Sequence, residues 1–191
     1  LVVIASGLLY MAGMVLNEVF DLEIDARDRP GRPLPSGRID PGFAKLLGCE
    51  LMLVGVAAGW LAAWLVGCWA PGIVATALAA AVWLYDAWLK RTPLGPLGMG
   101  SCRFLNVLLG TSAAAAMWHV MHWIVAAGIG LYIVGVTWFA RTEARRSARP
   151  QLAAALGVIL AGLALLTSFP WWADETLAQL SMPVYAQQAP W

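Results

Sequence analysis

Four stretches of this 191-residue sequence contain no Asp, Glu, Lys or Arg: 1–17, 51–85, 104–140 and 150–173. A spanning helix needs about 20 apolar residues to cross a hydrocarbon core of about 30 Å. The two longest stretches are each wide enough for a helical hairpin, with turns expected at Trp69-Ala70-Pro71-Gly72 and at Trp118-His119-Val120-Met121-His122-Trp123. The apolar runs are continuous rather than alternating, and rich in Ala and Leu, which sets strands aside. Six spans are expected, near 1–16, 46–68, 72–89, 99–117, 123–140 and 152–170. Composition agrees, with 61% hydrophobic and 12% charged residues, where a soluble domain carries roughly 25% charged. So few charges cannot wet the surface of a cytosolic enzyme, and so apolar a chain is not a disordered tail. A formal charge of +1 excludes a nucleic-acid binder that relies on net basicity. The expected fold class is all-α, a polytopic transmembrane helical bundle forming a single domain over 1–191.

All twelve basic residues fall in three segments. Arg27, Arg29, Arg32, Arg38 and Lys45 follow the first span, Lys90, Arg91 and Arg103 the third, and Arg141, Arg145, Arg146 and Arg149 the fifth. The connections around Pro71 and Val120 carry none, and the segment after the sixth span carries Asp174 and Glu175. Lys and Arg are retained on the cytoplasmic side. The loops near 17–45, 90–98 and 141–150 are therefore expected in the cytosol, with a bacterial inner membrane as host. Cys49, Cys68 and Cys102 show no paired spacing and are expected to be small buried hydrophobes. The chain begins with Leu1 inside an apolar segment that has no n-region, so no signal peptide is read there, and a fragment of a longer protein is the expectation. The Trp-rich end from Pro170 to Trp191 is expected at the headgroup level.

Asn17, Asp21 and Asp25 stand at i, i+4 and i+8, which on a helix stacks them on one face with Asp28 close to the same line. Like charges at this spacing repel unless a cation sits beside them. Oxygen ligands from one or two carboxylates, completed by water and phosphate, are what Mg²⁺ prefers. Arg29 and Arg32 follow at once, and guanidinium forks suit bidentate phosphate contacts. The pattern outlines a diphosphate site at a membrane surface. The spacing also allows a solvated loop whose acids neutralise its own arginines. An EF-hand read from Asp21 fails, because its sixth and twelfth positions hold Ala26 and Arg32 instead of Gly and Glu. The CDP-alcohol phosphotransferases also use aspartates on a cytosolic-facing helix, but their order, opening on Asp-Gly, is absent here.

The run Asn17-xxx-Asp21-xxx-Asp25, followed by Arg29-Pro30-Gly31-Arg32-Pro33-Leu34-Pro35-Ser36-Gly37, resembles the first aspartate-rich motif of UbiA-type intramembrane prenyltransferases. Tyr85-Asp86-Ala87-Trp88-Leu89-Lys90-Arg91-Thr92 is similar to the Tyr…Lys-Arg…Thr segment after that family's fourth helix. The stretch Gly100-Ser101-Cys102-Arg103-Phe104-Leu105-Asn106-Val107-Leu108-Leu109-Gly110 looks most like its EboC-like branch. The resemblance covers nearly the whole chain, from the family's second helix to about its seventh, and implies that a first helix and the last ones are missing. It implies Mg²⁺-dependent transfer of an allylic prenyl group from a polyprenyl diphosphate to an aromatic or other lipophilic acceptor. The surroundings would be membrane lipids, with no nucleic acid and no obligate protein partner. It further implies Asn17, Asp21 and Asp25 as metal ligands, with Asp21, Asp25 and Lys90 catalytic. Arg29, Arg32, Lys90, Arg91, Arg141, Arg103 and Asn106 would meet the diphosphate.

One segment departs from the family pattern. A second Asp-xxx-Asp motif belongs in the third cytosolic loop, which here reads Thr137-Trp138-Phe139-Ala140-Arg141-Thr142-Glu143-Ala144-Arg145-Arg146. Glu143 is its one acid. Either the arginines hold the diphosphate in place of a metal, or the chemistry has been lost. The second case describes a degenerate, non-catalytic member that binds or transports an isoprenoid or another metabolite.

Other polar residues fall inside the spans. Arg103 and Asn106, at i and i+3, share a face and are expected to line a cavity as an acceptor or phosphate contact, unless Arg103 snorkels to the interface. Glu50 is expected to pair with Lys45 or Arg103. Asp86, beside Tyr85, is the spare acid for a base or a second metal ligand. His119 and His122 are expected at the interface away from the arginines. Trp83, Trp88 or Trp138 could face a carbocation, since aromatic faces attract cations.

Overall fold

Helices account for the regular structure in a computed structural model that describes residues 1–113, 119–143 and 149–168. They are α1 (Val2–Phe20), α2 (Leu22–Asp28), α3 (Pro41–Val66), α4 (Ala70–Ala87), α5 (Gly95–Thr111), α6 (Val120–Glu143) and α7 (Arg149–Thr167), with a 3₁₀ turn at Leu89–Arg91. Five of these, α1, α3, α4, α6 and α7, are long and apolar enough to cross a membrane, which makes the chain an integral membrane protein. The fourth expected span, 99–117, corresponds to α5, which has 17 residues and rises about 26 Å at 1.5 Å per residue. It falls short of the roughly 30 Å core and carries Arg103 in its middle.

Both expected hairpin turns move. The chain leaves α3 through Gly67, whose φ of 71° is the left-handed conformation that only glycine adopts without strain. The Gly67 and Cys68 amides donate back to Trp64 O and Ala63 O, closing the helix end. Pro71 is therefore not in the turn but in the first turn of α4, where its missing N–H costs nothing. Val120 to Trp123 likewise begin α6 instead of forming a loop. At the opposite end of α3, the Asp40 carboxylate accepts from the Phe43 amide at 2.7 Å, and Pro41 follows it as N1. Arg145 and Arg146 of the third basic segment, and the Trp-rich tail, lie outside the described residues.

Helix α1 packs against α3, α4 and α5, α4 also touches α3 and α5, α6 lies on α5, and α7 touches α6 alone among the described helices. Large apolar side chains such as Val3 and Trp64 point outward, as a bilayer permits. Lipid is as apolar as Leu, so helices in it associate through close packing of small residues. That is the pattern here. A Cβ on Gly100 would sit 2.7 Å from the Gly130 carbonyl oxygen, and one on Gly162 would sit 2.8 Å from the Tyr132 Cα. The α5–α6 and α6–α7 crossings are backbone against backbone. Cys49, Cys68 and Cys102 are all free, and Cys102 is buried.

Candidate active site

The aspartate ladder crosses a joint. Helix α1 ends at Phe20, Asp21 takes φ −93° and ψ 0°, and α2 restarts at Leu22. The Asp21 amide still donates to Asn17 O at 3.0 Å, and the Asp25 amide to Asp21 O at 2.8 Å. Four-residue steps thus continue through the break, and Asn17, Asp21 and Asp25 occupy successive turns.

Their side chains divide between two cations. Lys90 Nζ lies 2.8 Å from Asn17 Oδ1 and 2.8 Å from Asp21 Oδ1. Arg32 Nη1 lies 2.8 Å from Asp25 Oδ2 and 2.9 Å from Glu18 Oε1. Asp25 is buried, whereas Arg32 and Glu18 are each about a third exposed. Among the described residues no three His, Cys, Asp or Glu side chains gather around one point. The alternative of acids neutralising the loop's own arginine is thus realised for Arg32. Arg29 is exposed and makes no side-chain hydrogen bond or ion pair among the described residues.

The turn after α4 carries the cation of the first group. Arg91 Nη2 donates to Phe20 O at 2.6 Å and stands 3.9 Å from Asp21 Oδ1. Thr92 Oγ1 donates to Leu89 O, and Thr92 O accepts from Arg141 Nη1 at 2.8 Å. The segment from Tyr85 to Thr92 therefore ties the end of α1 to the end of α6. Arg141 sits against the backbone of that segment and the start of α5 at Gly95. The side chain of Glu143 and the rest of the third basic segment to residue 148 lie outside the described residues.

Beneath this charged layer, α1, α4 and α5 enclose a cavity of about 230 Å³. Leu9, Leu78, Val82, Met14, Met99 and Cys102 supply its apolar walls, while Asn17, Tyr85, Asp86, Tyr10, Arg103 and Asn106 supply its polar groups. Asn17 joins the two regions, lining the cavity while its amide oxygen meets Lys90. From Asn17 to Leu9 the cavity runs about 12 Å along α1 at 1.5 Å per residue. Arg103 and Asn106 do share its wall. The Arg103 guanidinium carbon lies 4.9 Å from the Tyr10 ring centroid, and Ser6 Oγ donates to Asn106 Oδ1 at 2.9 Å. A second groove, of about 450 Å³, runs between α1, the loop after α2 and α3, with Glu18 and Arg32 among the apolar Met14, Leu34, Ile39, Phe43 and Leu47.

The expectations for Glu50 and for the tryptophans are corrected. Glu50 is exposed and forms no ion pair with Lys45 or Arg103 among the described residues, because Arg103 turns to Tyr10 instead. Trp83 packs edge-on against Phe20 at 5.5 Å, and neither it nor Trp88 nor Trp138 lines the cavity, whose aromatic groups are Tyr10 and Tyr85. His119 and His122 stand at the far end of α6 from Arg141, 6.4 Å apart ring to ring. Three participants went unread in the sequence: Glu18, Tyr10 and Ser6. Glu18 is seven residues, two helical turns, before Asp25. Ser6 and Tyr10 are polar residues four apart in an otherwise apolar span, spacing that puts them on one face.

The UbiA prenyltransferase family matches residues 1–191 of the chain. A digeranylgeranylglyceryl phosphate synthase of Methanospirillum hungatei is 40% identical over 85 residues, covering 44% of this chain and 28% of the relative. A protein of the same description from Methanopyrus kandleri is 32% identical over 124 residues, 60% of this chain and 42% of its own length. A protoheme IX farnesyltransferase of Acidiphilium cryptum is 30% identical over 201 aligned positions, 93% of this chain and 59% of the relative. The chain thus spans less than two thirds of each of these relatives. No solved structure matches it significantly.

Proposed function

We propose, for a chain that belongs to the UbiA prenyltransferase family, that it transfers an allylic prenyl group from a polyprenyl diphosphate to a lipophilic acceptor. The observation that carries this reading is the convergence of Asn17, Asp21, Lys90 and Arg91 at the mouth of an amphipathic cavity. Charged groups for a diphosphate and apolar walls for its neighbours meet within one helix turn. The relatives' names, a digeranylgeranylglyceryl phosphate synthase and a protoheme IX farnesyltransferase, describe the same class of transfer onto different acceptors.

The oxygens at the mouth suit Mg²⁺. Asn17 Oδ1 and Asp21 Oδ1 already face one cation, the Lys90 ammonium, and amide and carboxylate oxygens are the hard donors this ion takes. Asn17 and Asp21, with Asp25 one turn further, would hold it, and the ion would neutralise charge on the diphosphate. The chain's own cations do the rest. Lys90, Arg91 and Arg141 stand where negative charge collects on the departing diphosphate, and positioned charges in a site that excludes water lower such a barrier most. The C–O bond to the diphosphate breaks with its electron pair on the leaving group, the acceptor bonds to the freed allylic carbon, and the acceptor gives up a proton. Arg29 and Arg32, on the loop beside the same joint, would reach the outer phosphate, Arg32 after leaving Asp25. The three basic segments would face the cytosol.

Full-length protein in nanodiscs, given labelled geranylgeranyl diphosphate, Mg²⁺ and a membrane extract as acceptor source, tests the reading. Mg²⁺-dependent diphosphate release is expected, reduced about 100-fold or more in Asp21→Ala, as for loss of other transition-state charge contacts. Binding of the diphosphate without any release would favour the non-catalytic carrier.

A further inference from the structure

Arg141 meets the candidate site through backbone. Its Nη1 donates to Thr92 O at 2.8 Å, and the same oxygen accepts from the Gly95 amide at 3.1 Å. The guanidinium stands in space that a side chain at position 95 would take. A Cβ on Gly95 would lie 2.5 Å from Arg141 Nη1, 3.2 Å from Lys90 O and 3.3 Å from Leu89 O. The carbonyls of Leu89 and Lys90 thus converge on a notch that Gly95 leaves open, beside that of Thr92, and Arg141 enters it from α6. Carbonyls at the end of a helical turn lack partners inside it, and a cation beside them is favoured.

The segment so held carries Lys90, whose ammonium lies 2.8 Å from both Asn17 Oδ1 and Asp21 Oδ1. Lys90 is the middle residue of a three-residue 3₁₀ turn, Leu89–Arg91, too short to fix its own place by helical hydrogen bonding. Two arginines hold it from outside. Arg91 anchors it to the end of α1 through Phe20 O at 2.6 Å, and Arg141 anchors it to α6. A side chain that fixes the carbonyls around Lys90 also fixes the Cα from which the ammonium projects. Small displacements matter there, because misplacing a catalytic charge by about 1 Å is enough to cost much of its effect.

We infer that Arg141 is a positioning residue for Lys90, seated in the notch at Gly95, so that α6 sets the charge at the cavity mouth through the backbone of the Leu89–Thr92 segment. The inference rests on reading the layer at Asn17, Asp21 and Lys90 as the diphosphate site. Whatever charge Arg141 lends a phosphate directly, its larger effect passes through Lys90. It comes from the segment where the family pattern expects a second Asp-xxx-Asp motif and where Glu143 is the one acid. In this chain α6 therefore acts on the site by a cation on a carbonyl. A planar fork suits that task, since it can reach more than one oxygen at a time.

Two measurements on full-length protein in nanodiscs test this. Calorimetry reads the binding of inorganic diphosphate with Mg²⁺. Acetylation of Lys90 by sulfo-N-hydroxysuccinimide acetate, followed by mass spectrometry, reads whether the ammonium still sits against Asn17 and Asp21, with no diphosphate needed. Gly95→Ala keeps both charges but displaces the guanidinium, and Arg141→Gln removes it; Arg141 is exposed, so its replacement opens no hole in the bundle. Each variant is expected to weaken diphosphate binding about fivefold, the scale of one hydrogen bond, and to speed Lys90 acetylation by a similar factor. Alkylation of the buried Cys102 should keep its parent rate. Arg141→Lys, which retains one donor, should recover part of both effects. In a Lys90→Met background neither variant should weaken diphosphate binding more than about twofold, because the residue they act through is gone. Equal losses with and without Lys90 would make Arg141 a direct phosphate contact and overturn the inference. Unchanged Lys90 acetylation would do the same, as would Cys102 opening in step with Lys90, the mark of a general packing role. If the unaltered protein binds no diphosphate, the transferase reading fails, while the acetylation arm still decides whether Arg141 places Lys90.

Discussion

The Lys90 ammonium lies 2.8 Å from Asp21 Oδ1, with Asn17 Oδ1 at the same distance, and so ties the 3₁₀ turn after α4 to the end of α1. The two partners are 69 residues apart in sequence, and among the described residues no backbone-to-backbone hydrogen bond joins their segments. Lys90 is 10% exposed at its side chain and Asp21 24%, so water screens the pair only in part. Lys90→Met is expected to lower stability by about 1–3 kcal/mol, seen in a thermal scan in detergent. The same variant should raise the apparent KM for prenyl diphosphate about tenfold, since it removes a charge from the mouth of the cavity. Lys90→Arg should recover stability better than affinity, because a planar fork cannot meet Asn17 and Asp21 at one point.

Asp25 and Glu18 share Arg32, and their burial differs. Asp25 is 6% exposed as a residue, so Arg32→Ala leaves a buried carboxylate without its partner. Arg32 is itself about a third exposed, so water will relax part of that cost. The expected loss is about 1–2 kcal/mol, below the 3–5 typical of a fully buried pair. Glu18→Gln should cost under about 0.5 kcal/mol. A double-mutant cycle on Asp25 and Arg32 should give a larger coupling than one on Glu18 and Arg32, and equal couplings would contradict the assigned burial.

The α5–α6 crossing is governed by space. A Cβ on Gly100 meets the Gly130 carbonyl oxygen at 2.7 Å, which is backbone and cannot rotate away. Gly100→Ala is expected to destabilise by about 1–3 kcal/mol through overpacking. Gly157→Ala has nothing within 4 Å of the added atom and should leave the melting temperature unchanged or slightly raised. The contrast in one helical bundle separates close packing from helix propensity.

Chelation should separate activity from folding. Lys90 and Arg32 already neutralise Asp21 and Asp25 without a metal, so the repulsion expected of stacked carboxylates is answered by the chain itself. EDTA is therefore expected to abolish diphosphate release while shifting the thermal midpoint by no more than about 1 °C, the shift of a few tenths of a kcal/mol. A collapse of the midpoint on chelation would assign the metal a structural role instead.

How much of this was legible beforehand follows from range. The spans were readable because charge-free runs are a local property, and the ladder was readable because Asn17, Asp21 and Asp25 repeat every four residues. The first hairpin turn differs from the expected Trp69–Gly72 because Gly67 sets the end of α3 and Pro71 is tolerated in the first turn of α4. The cations that answer the ladder could not be assigned from spacing. Lys90 reaches Asn17 across 73 residues, and Arg32 was expected on phosphate but turns back to Asp25 and Glu18. Arg103 was placed on the correct wall, but its partner Tyr10 lies in another helix, where only the i, i+4 pairing with Ser6 hinted at a polar face.

Orientation in the membrane is open to a direct test on the native cysteines. Helix α3 has 26 residues and is about 39 Å long at 1.5 Å per residue, so its two ends lie on opposite sides of the hydrocarbon core. Ser36, in the exposed loop before α3, belongs to the segment with five basic residues, whereas Cys68, in the turn after it, belongs to a connection with none. If Lys and Arg are retained in the cytosol, Cys68 is expected outside. In a variant that keeps Cys68 but has Cys49 and Cys102 replaced by Ala, a membrane-impermeant maleimide should label intact cells. Moving the single cysteine to Ser36→Cys should make labelling depend on permeabilisation. The opposite pattern would invert the whole arrangement, because the basic segments at Arg32, Lys90 and Arg141 share one side of the bundle and must turn over together.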